Sequence, residues 1–152
     1  MKIAGGEGKA IEVLLVEDSP GDVRLTREAF RDAQVSIRLH VASDGVEAMS
    51  FLRREGAENA HSPRPDLILL DLNLPKMDGR EVLTQIKEDP ELMTIPTVIL
   101  TTSEAEVDIQ KSYELQANAY LSKPVQLEAF DSLVKSISDF WLTQVKLPQR
   151  SA

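Results

Sequence analysis

Short, continuous apolar runs alternate along the chain with stretches whose apolar residues recur every three or four positions, the pattern of strands inside a sheet and helices laid across it. Ile11-Glu12-Val13-Leu14-Leu15-Val16 is the first buried strand, and Ser19 followed by Pro20 reads as the cap and first turn of a helix. Val23, Thr26, Phe30 and Ala33 then fall at helical spacing. Ile37-Arg38-Leu39-His40-Val41 alternates apolar and polar residues, as an edge strand with one covered face does. A helix starting at Ser43-Asp44-Gly45 carries Val46, Met49, Phe51 and Leu52; residues 53–65 are charged, bear Gly and Pro, and predict a surface loop. The all-apolar run Leu67-Ile68-Leu69-Leu70 ends abruptly in Asp71. Residues 79–88 then carry Val82, Leu83 and Ile86 on one helical face, stopped by Pro90. Pro96-Thr97-Val98-Ile99-Leu100 is the fourth strand, followed by a weakly amphipathic helix over about 105–116 with Ile109 and Tyr113 four apart. Ala119-Tyr120-Leu121 is the fifth, and a last helix from about Gln126 holds Leu127, Phe130, Leu133, Val134, Ile137 and Trp141 in register.

Strictly alternating strands and helices with right-handed connections predict an α/β fold: a doubly wound, five-stranded parallel sheet in the order 2-1-3-4-5. That order reverses between the first and third strands, and ligands bind outside the carboxyl ends of strands at such a reversal. Glu17-Asp18 and Asp71 follow those two strand ends.

Composition narrows the class without changing the fold. With 152 residues and 42% hydrophobic content the chain suits one domain, expected over 10–143, between a flexible segment at 1–9 and a tail at 144–152. No cysteine is present, so thiolate chemistry and disulfides are excluded. A net charge of −8 argues against nucleic acid as a partner. No apolar run suits a secretory signal or a membrane span, which predicts a cytoplasmic protein that does not bind a membrane.

Taken singly, the residues at the strand ends have ordinary explanations. Asp71 reads as a strand stop, Glu17-Asp18 as a solvated helix cap, Thr101 as a strand-end hydroxyl and Lys123 as a surface lysine. Convergence alters that. Carboxylates brought together from distant parts of the chain repel unless a cation joins them, and an all-oxygen donor set without Cys or paired His points to Mg²⁺. Acid, metal, hydroxyl and ammonium at one mouth suit a carboxylate that accepts a phosphoryl group.

The residues Leu15-Val16-Glu17-Asp18, Leu69 through Gly79, Ile99-Leu100-Thr101-Thr102 and Ala119-Tyr120-Leu121-Ser122-Lys123-Pro124, in this order, resemble those of CheY-like response-regulator receiver domains. The resemblance implies a flavodoxin-like fold and a regulator that takes phosphate from a sensor histidine kinase. It makes Asp71 the phosphoacceptor, Asp18 a direct Mg²⁺ ligand, Glu17 a ligand largely through water, and Asn73 a ligand through its backbone carbonyl. By the same resemblance Thr101 and Lys123 bind the phosphoryl group, Thr101 and Tyr120 form the switch, and Lys123-Pro124 is a cis peptide. The protein is then a self-phosphorylating and self-dephosphorylating acceptor, not an enzyme that turns over substrate.

A finer resemblance, carried by Glu17-Asp18-Ser19-Pro20-Gly21-Asp22, the loop before Asp66, Thr101-Thr102-Ser103 and Asp139-Phe140-Trp141-Leu142, is to the stand-alone receivers that partner phytochrome kinases. Thr102 departs from the small residue commoner at that place in receivers. A dehalogenase-type phosphatase would need an acid where Asn73 stands, and a phosphate-independent pseudo-receiver would need a broken acidic pocket. His40 in the edge strand and His61 in the loop are expected to be solvent-facing or locally bonded.

Few residues follow Trp141, so no output domain is expected and the signal should leave through a protein surface or an onward phosphotransfer. With the last helix's stripe turned to the sheet, Phe140, Leu142, Val145 and Leu147 would remain as apolar surface. That predicts a homodimer joined through Tyr120, Phe140, Trp141 and Leu142.

Overall fold

The computed structural model describes residues 10–33 and 35–148; the expected segment 1–9 and the end of the tail, 149–152, lie outside the described residues. The elements are β1 (Ile11–Val16), α1 (Pro20–Arg31), β2 (Ile37–Ala42), α2 (Gly45–Arg53), β3 (Leu67–Leu70), α3 (Gly79–Glu88), β4 (Thr97–Thr101), α4 (Glu106–Glu114), β5 (Ala119–Ser122) and α5 (Leu127–Asp139). The sheet runs β2-β1-β3-β4-β5 with every neighbouring pair parallel, the doubly wound, flavodoxin-like order expected from the alternation. The expected loop at 53–65 holds a short 3-10 turn at Ala57–Asn59.

The strands' apolar residues divide between two cores. Leu14, Val16, Ile68, Leu70 and Ile99 face Ala48, Met49 and Leu52 of α2 and Val82, Leu83 and Ile86 of α3. Val13, Leu15, Leu67, Leu69, Val98 and Leu100 face Ala29 and Phe30 of α1 and Phe130, Val134 and Ile137 of α5. All four residues of β3 are fully buried. Burying a Leu or Ile side chain contributes about 1.5–3 kcal/mol, and this is why the central strand carries no polar residue before Asp71. The helices that frame the site begin on side-chain caps: Ser19 Oγ accepts from Asp22 N–H at 3.3 Å, Asp44 from Glu47 N–H at 2.7 Å, and Asp78 from Arg80 N–H at 2.8 Å.

Register lines up the strand ends. Val16 pairs with Leu70, Leu70 with Ile99, and Ile99 with Tyr120. The residues that follow these positions therefore emerge side by side.

Several expectations need correcting. Tyr113 of α4 is 51% exposed while Ser112 is buried, so the helix turns a different face inward from the one that Ile109 and Tyr113 suggest. Leu127 is exposed, because the α5 stripe first meets the sheet at Phe130. After α5 the chain widens into one π-helical turn at Phe140–Gln144, closed by Val145 N–H on Phe140 C=O at 2.8 Å. The wider turn changes the angular spacing of the side chains. Leu142 lands in the core at 5% exposure, Trp141 and Leu147 pack partly against it, and Phe140 stays 55% exposed. The monomer thus covers Leu142 itself, contrary to the expected exposed surface. Among the described residues no peptide bond is cis, so Lys123-Pro124 takes the trans form that X-Pro bonds ordinarily favour.

Candidate functional site

The site stands at the carboxyl ends of β1, β3, β4 and β5. Glu17 N–H donates to Ala42 C=O at 3.0 Å and Asp71 N–H to Val16 C=O at 3.1 Å, so ladder bonds fix both acidic residues as each strand ends. Glu17, Asp71, Thr101 and Lys123 are all buried, whereas Asp18 is exposed.

The two oxygens of Asp71 have different partners. Oδ1 accepts from the Thr101 hydroxyl at 2.8 Å and from Asn73 N–H at 3.1 Å, while Oδ2 accepts from the Lys123 ammonium at 3.0 Å. Lys123 Nζ also donates to Glu17 Oε1 and, at 3.0 Å, to Asp22 Oδ2. Burial alone would lower the Lys123 pKa; hydrogen bonds and charge from Glu17 and Asp71 overcome it, and the group is held above the usual lysine range as an ammonium. Shared among three carboxylates, that one cation leaves Glu17 undercompensated. Burial raises the Glu17 pKa, the Lys123 bond and charge only partly offsetting it, and Asp71 adds repulsion.

Glu17, Asp18 and Asp71 each bring a carboxylate oxygen within 4.8 Å of the others. Such a hard-oxygen set, part buried and part open to water, fits a divalent cation that retains water ligands. Asn73 presents its N–H to Asp71.

The loop from β3 to α3 is pressed onto the site. A Cβ on Gly79 would lie 2.1 Å from the Asp71 carbonyl oxygen, and Gly79 N–H donates to Leu72 C=O at 2.9 Å. Only glycine permits that approach.

The expected residues Glu17, Asp18, Asp71, Thr101 and Lys123 come together. Tyr120 stands outside this group, half-buried, its hydroxyl donating to Ser103 C=O at 2.9 Å. From there a polar path leads outward: Ser103 Oγ to Asp108 at 2.6 Å, Asp108 to Arg80 at 2.8 Å, and Arg80 to Asp78 at 3.0 Å. Arg80 holds the Asp108 carboxyl below the usual carboxylate range, with help from Ser103. His40, facing neither this path nor the acids, bonds Glu12 at 2.7 Å.

Sequence reasoning missed the roles of Asp22, Ser103, Asp108 and Arg80. Asp22 carried a signal, since an acid three residues after a helix cap lies in the turn nearest the Glu17-Asp18 carboxylates. Arg80 and Asp108 are 28 residues apart, and nothing local pairs them.

A family model of the response regulator receiver domain matches residues 13–136. Response regulator Rcp1 of Synechocystis sp. strain PCC 6803 is 51% identical over 136 residues, 90% of this chain and 92% of Rcp1. The crystal structure of Rcp1 in its Mn²⁺-bound form aligns with a TM-score of 0.88 at 50% identity, covering 91% of this chain and 99% of that one. The phosphorylated cyanobacterial phytochrome response regulator RcpA aligns with a TM-score of 0.89 at 49% identity, covering 92% and 99%. With its sheet order, its acidic mouth and these likenesses in agreement, the chain belongs to the response regulator receiver domain family.

Proposed function

We propose that Asp71 accepts a phosphoryl group from a sensor histidine kinase and that the phosphorylated protein signals by contact with other proteins. The observation that carries this reading is the bonding of Asp71, whose Oδ1 is fixed by Thr101 and Asn73 while Oδ2 faces the Lys123 ammonium beside two further carboxylates. In the transfer an Asp71 oxygen forms the new bond to phosphorus as the donor's P–N bond breaks, and the electron pair leaves with the imidazole. Lys123 and Thr101 then donate to phosphoryl oxygens, which places positive and dipolar groups where negative charge gathers. Glu17, Asp18 and Asp71, with the Asn73 carbonyl, would hold Mg²⁺, whose charge would offset that of the phosphoryl oxygens. The same groups favour later attack by water, so dephosphorylation belongs to this pocket too.

The kinase is a phytochrome; the name of RcpA and its likeness to this chain support that choice. The protein works in the cytoplasm, and among the described residues no helix is long and apolar enough to cross a membrane. It acts as a homodimer, with Phe140, 55% exposed at the end of α5, as the anchor and its ring edge-on to Trp141. The partner is a second copy of the same chain related by a twofold axis, and the edge strand β5 that carries Tyr120 extends the joined face. Downstream, the phosphorylated form meets an effector or a phosphotransfer protein.

Intact mass after incubation with acetyl phosphate and Mg²⁺ tests the central claim. The wild-type protein should gain one phosphoryl group, and Asp71→Asn should gain none. Equal labelling of both would move the acceptor elsewhere. Transfer from a phytochrome kinase and not from an unrelated histidine kinase tests the partner.

A further inference from the structure

Lys123 is held by more than the phosphorylation pocket requires. An ammonium has three N–H donors, and here they meet Glu17, Asp71 and Asp22. Glu17 and Asp71 belong to the acidic group suited to a cation, and Asp71 must also carry the phosphoryl group. Asp22 belongs to neither. It comes from the first turn of α1, 101 residues away in sequence from Lys123.

An acid at this place in a helix has an ordinary use, reaching back to the backbone N–H of the capping residue. That use is taken: Ser19 N–H donates to Glu17 Oε2 at 3.1 Å. The Asp22 carboxylate turns instead to Lys123 Nζ at 3.0 Å. Its backbone is pinned on both sides, with Asp22 N–H donating to Ser19 Oγ at 3.3 Å and Asp22 C=O accepting from the Thr26 hydroxyl at 2.8 Å. A charged group on so fixed a turn is a stable post for a long, flexible side chain.

We propose that Asp22 is a positioning residue for phosphoryl transfer, tethering the Lys123 ammonium from α1 so that the donor now spent on Asp71 Oδ2 is aimed at the incoming phosphoryl oxygen. The inference rests on Asp71 as the phosphoacceptor. With a cation bound, Glu17 would be engaged by it, and Asp22, outside the acidic group, would be the carboxylate left to hold Lys123. Without it the ammonium has a free donor and four rotatable bonds, and it spends less time in the productive direction.

The test is the rate of phosphorylation by acetyl phosphate at saturating Mg²⁺, read by intact mass, for wild type, Asp22→Ala, Asp22→Asn, Lys123→Ala and Asp22→Ala with Lys123→Ala. Asp22→Ala should slow the reaction about tenfold, and Asp22→Asn, which keeps an acceptor and removes its charge, about threefold. In the Lys123→Ala background Asp22→Ala should add no further loss, which a merely structural role in α1 would not predict. Rates within twofold of wild type for both Asp22 variants, or the same loss with and without Lys123, would overturn the proposal while leaving Asp71 in its role. A wild-type protein that gains no mass would overturn both.

Discussion

Replacing Gly79 with Ala should do harm where helix propensity promises gain. Ala is favoured over Gly in helix interiors by about 0.8–1 kcal/mol, and Gly79 opens α3. The added Cβ, however, would lie 2.1 Å from the Asp71 carbonyl oxygen, 2.6 Å from Leu72 Cα and 3.0 Å from the Asp71 carbonyl carbon. All three are backbone atoms, so no rotamer change relieves the contact. Restoring ordinary van der Waals distance takes roughly 1 Å of movement between α3 and the end of β3, and overpacking of that kind costs about 1–3 kcal/mol. The Gly79 N–H bond to Leu72 C=O, at 2.9 Å, stretches with it. A net loss of about 2 kcal/mol lowers the melting temperature of a domain this size by about 4–8 °C. The same movement carries Asp71 away from Thr101 and Lys123, and a misplacement near 1 Å can slow a positioned reaction by about 100-fold. Thermal unfolding followed by circular dichroism and phosphorylation by acetyl phosphate read the two effects separately. A Gly79→Ala variant with wild-type melting temperature and wild-type rate would refute the reasoning.

Two further predictions follow from the tail and from the polar path. Leu142→Ala should destabilise the domain by about 2–5 kcal/mol in urea unfolding because Leu142 fills the core beside α5, whereas Phe140→Ala should change monomer stability by less than about 0.5 kcal/mol yet weaken self-association in sedimentation; equal effects of the two on stability would contradict the assigned burial. Asp108, its carboxyl held low by Arg80 and Ser103, contributes stability that is fully present above the ordinary value of 3.8 and is lost as pH falls through the lowered folded value. The difference in urea midpoint between wild type and Asp108→Asn should therefore shrink on acidification below about pH 4, and a difference independent of pH would rule out the charged pair.

The sheet was legible because its central strands are buried on both faces and so carry unbroken apolar runs. Leu67 to Leu70 could hardly be read otherwise, and the acids that follow mark where burial ends. Thr101 and Lys123 were legible for the same reason, each closing a strand or following one. The helices were harder. In α4 one small polar residue, Ser112, occupies the inward position while the bulkier Tyr113 is turned out, and a hydrophobicity period has no means of anticipating that exchange. Leu142 was misplaced because an ideal helical spacing was carried through a π-helical turn that only the backbone reveals. Arg80 with Asp108, and Asp22 with Lys123, are pairs made by the fold between distant segments, and charged residues on helix surfaces ordinarily face solvent.

With Asp71 as the proposed phosphoacceptor, the bonds that ring it suggest a route from the pocket to the surface. Thr101 hydroxyl is spent on Asp71 Oδ1, and the next residue but one, Ser103, binds four ways: its N–H lies 3.5 Å from that same hydroxyl oxygen, its carbonyl accepts from Tyr120, and its own hydroxyl donates to Asp108 and accepts from Ala105 N–H at 3.3 Å. Asp108 in turn is clamped by Arg80 from the start of α3, the helix that Gly79 presses against Asp71. The β4–α4 loop is therefore tied to the acceptor through Thr101 at one end and through α3 at the other. In the proposed function, a shift of the Thr101 hydroxyl toward a phosphoryl oxygen would pull on Ser103 and strain its bonds to Tyr120 and Asp108. Tyr120 and α4 border the face where Val107 and Tyr113 are 73% and 51% exposed. On that proposal a local change in charge would be converted into a change of an apolar surface, through the hydrogen bonds that hold the loop in its present arrangement.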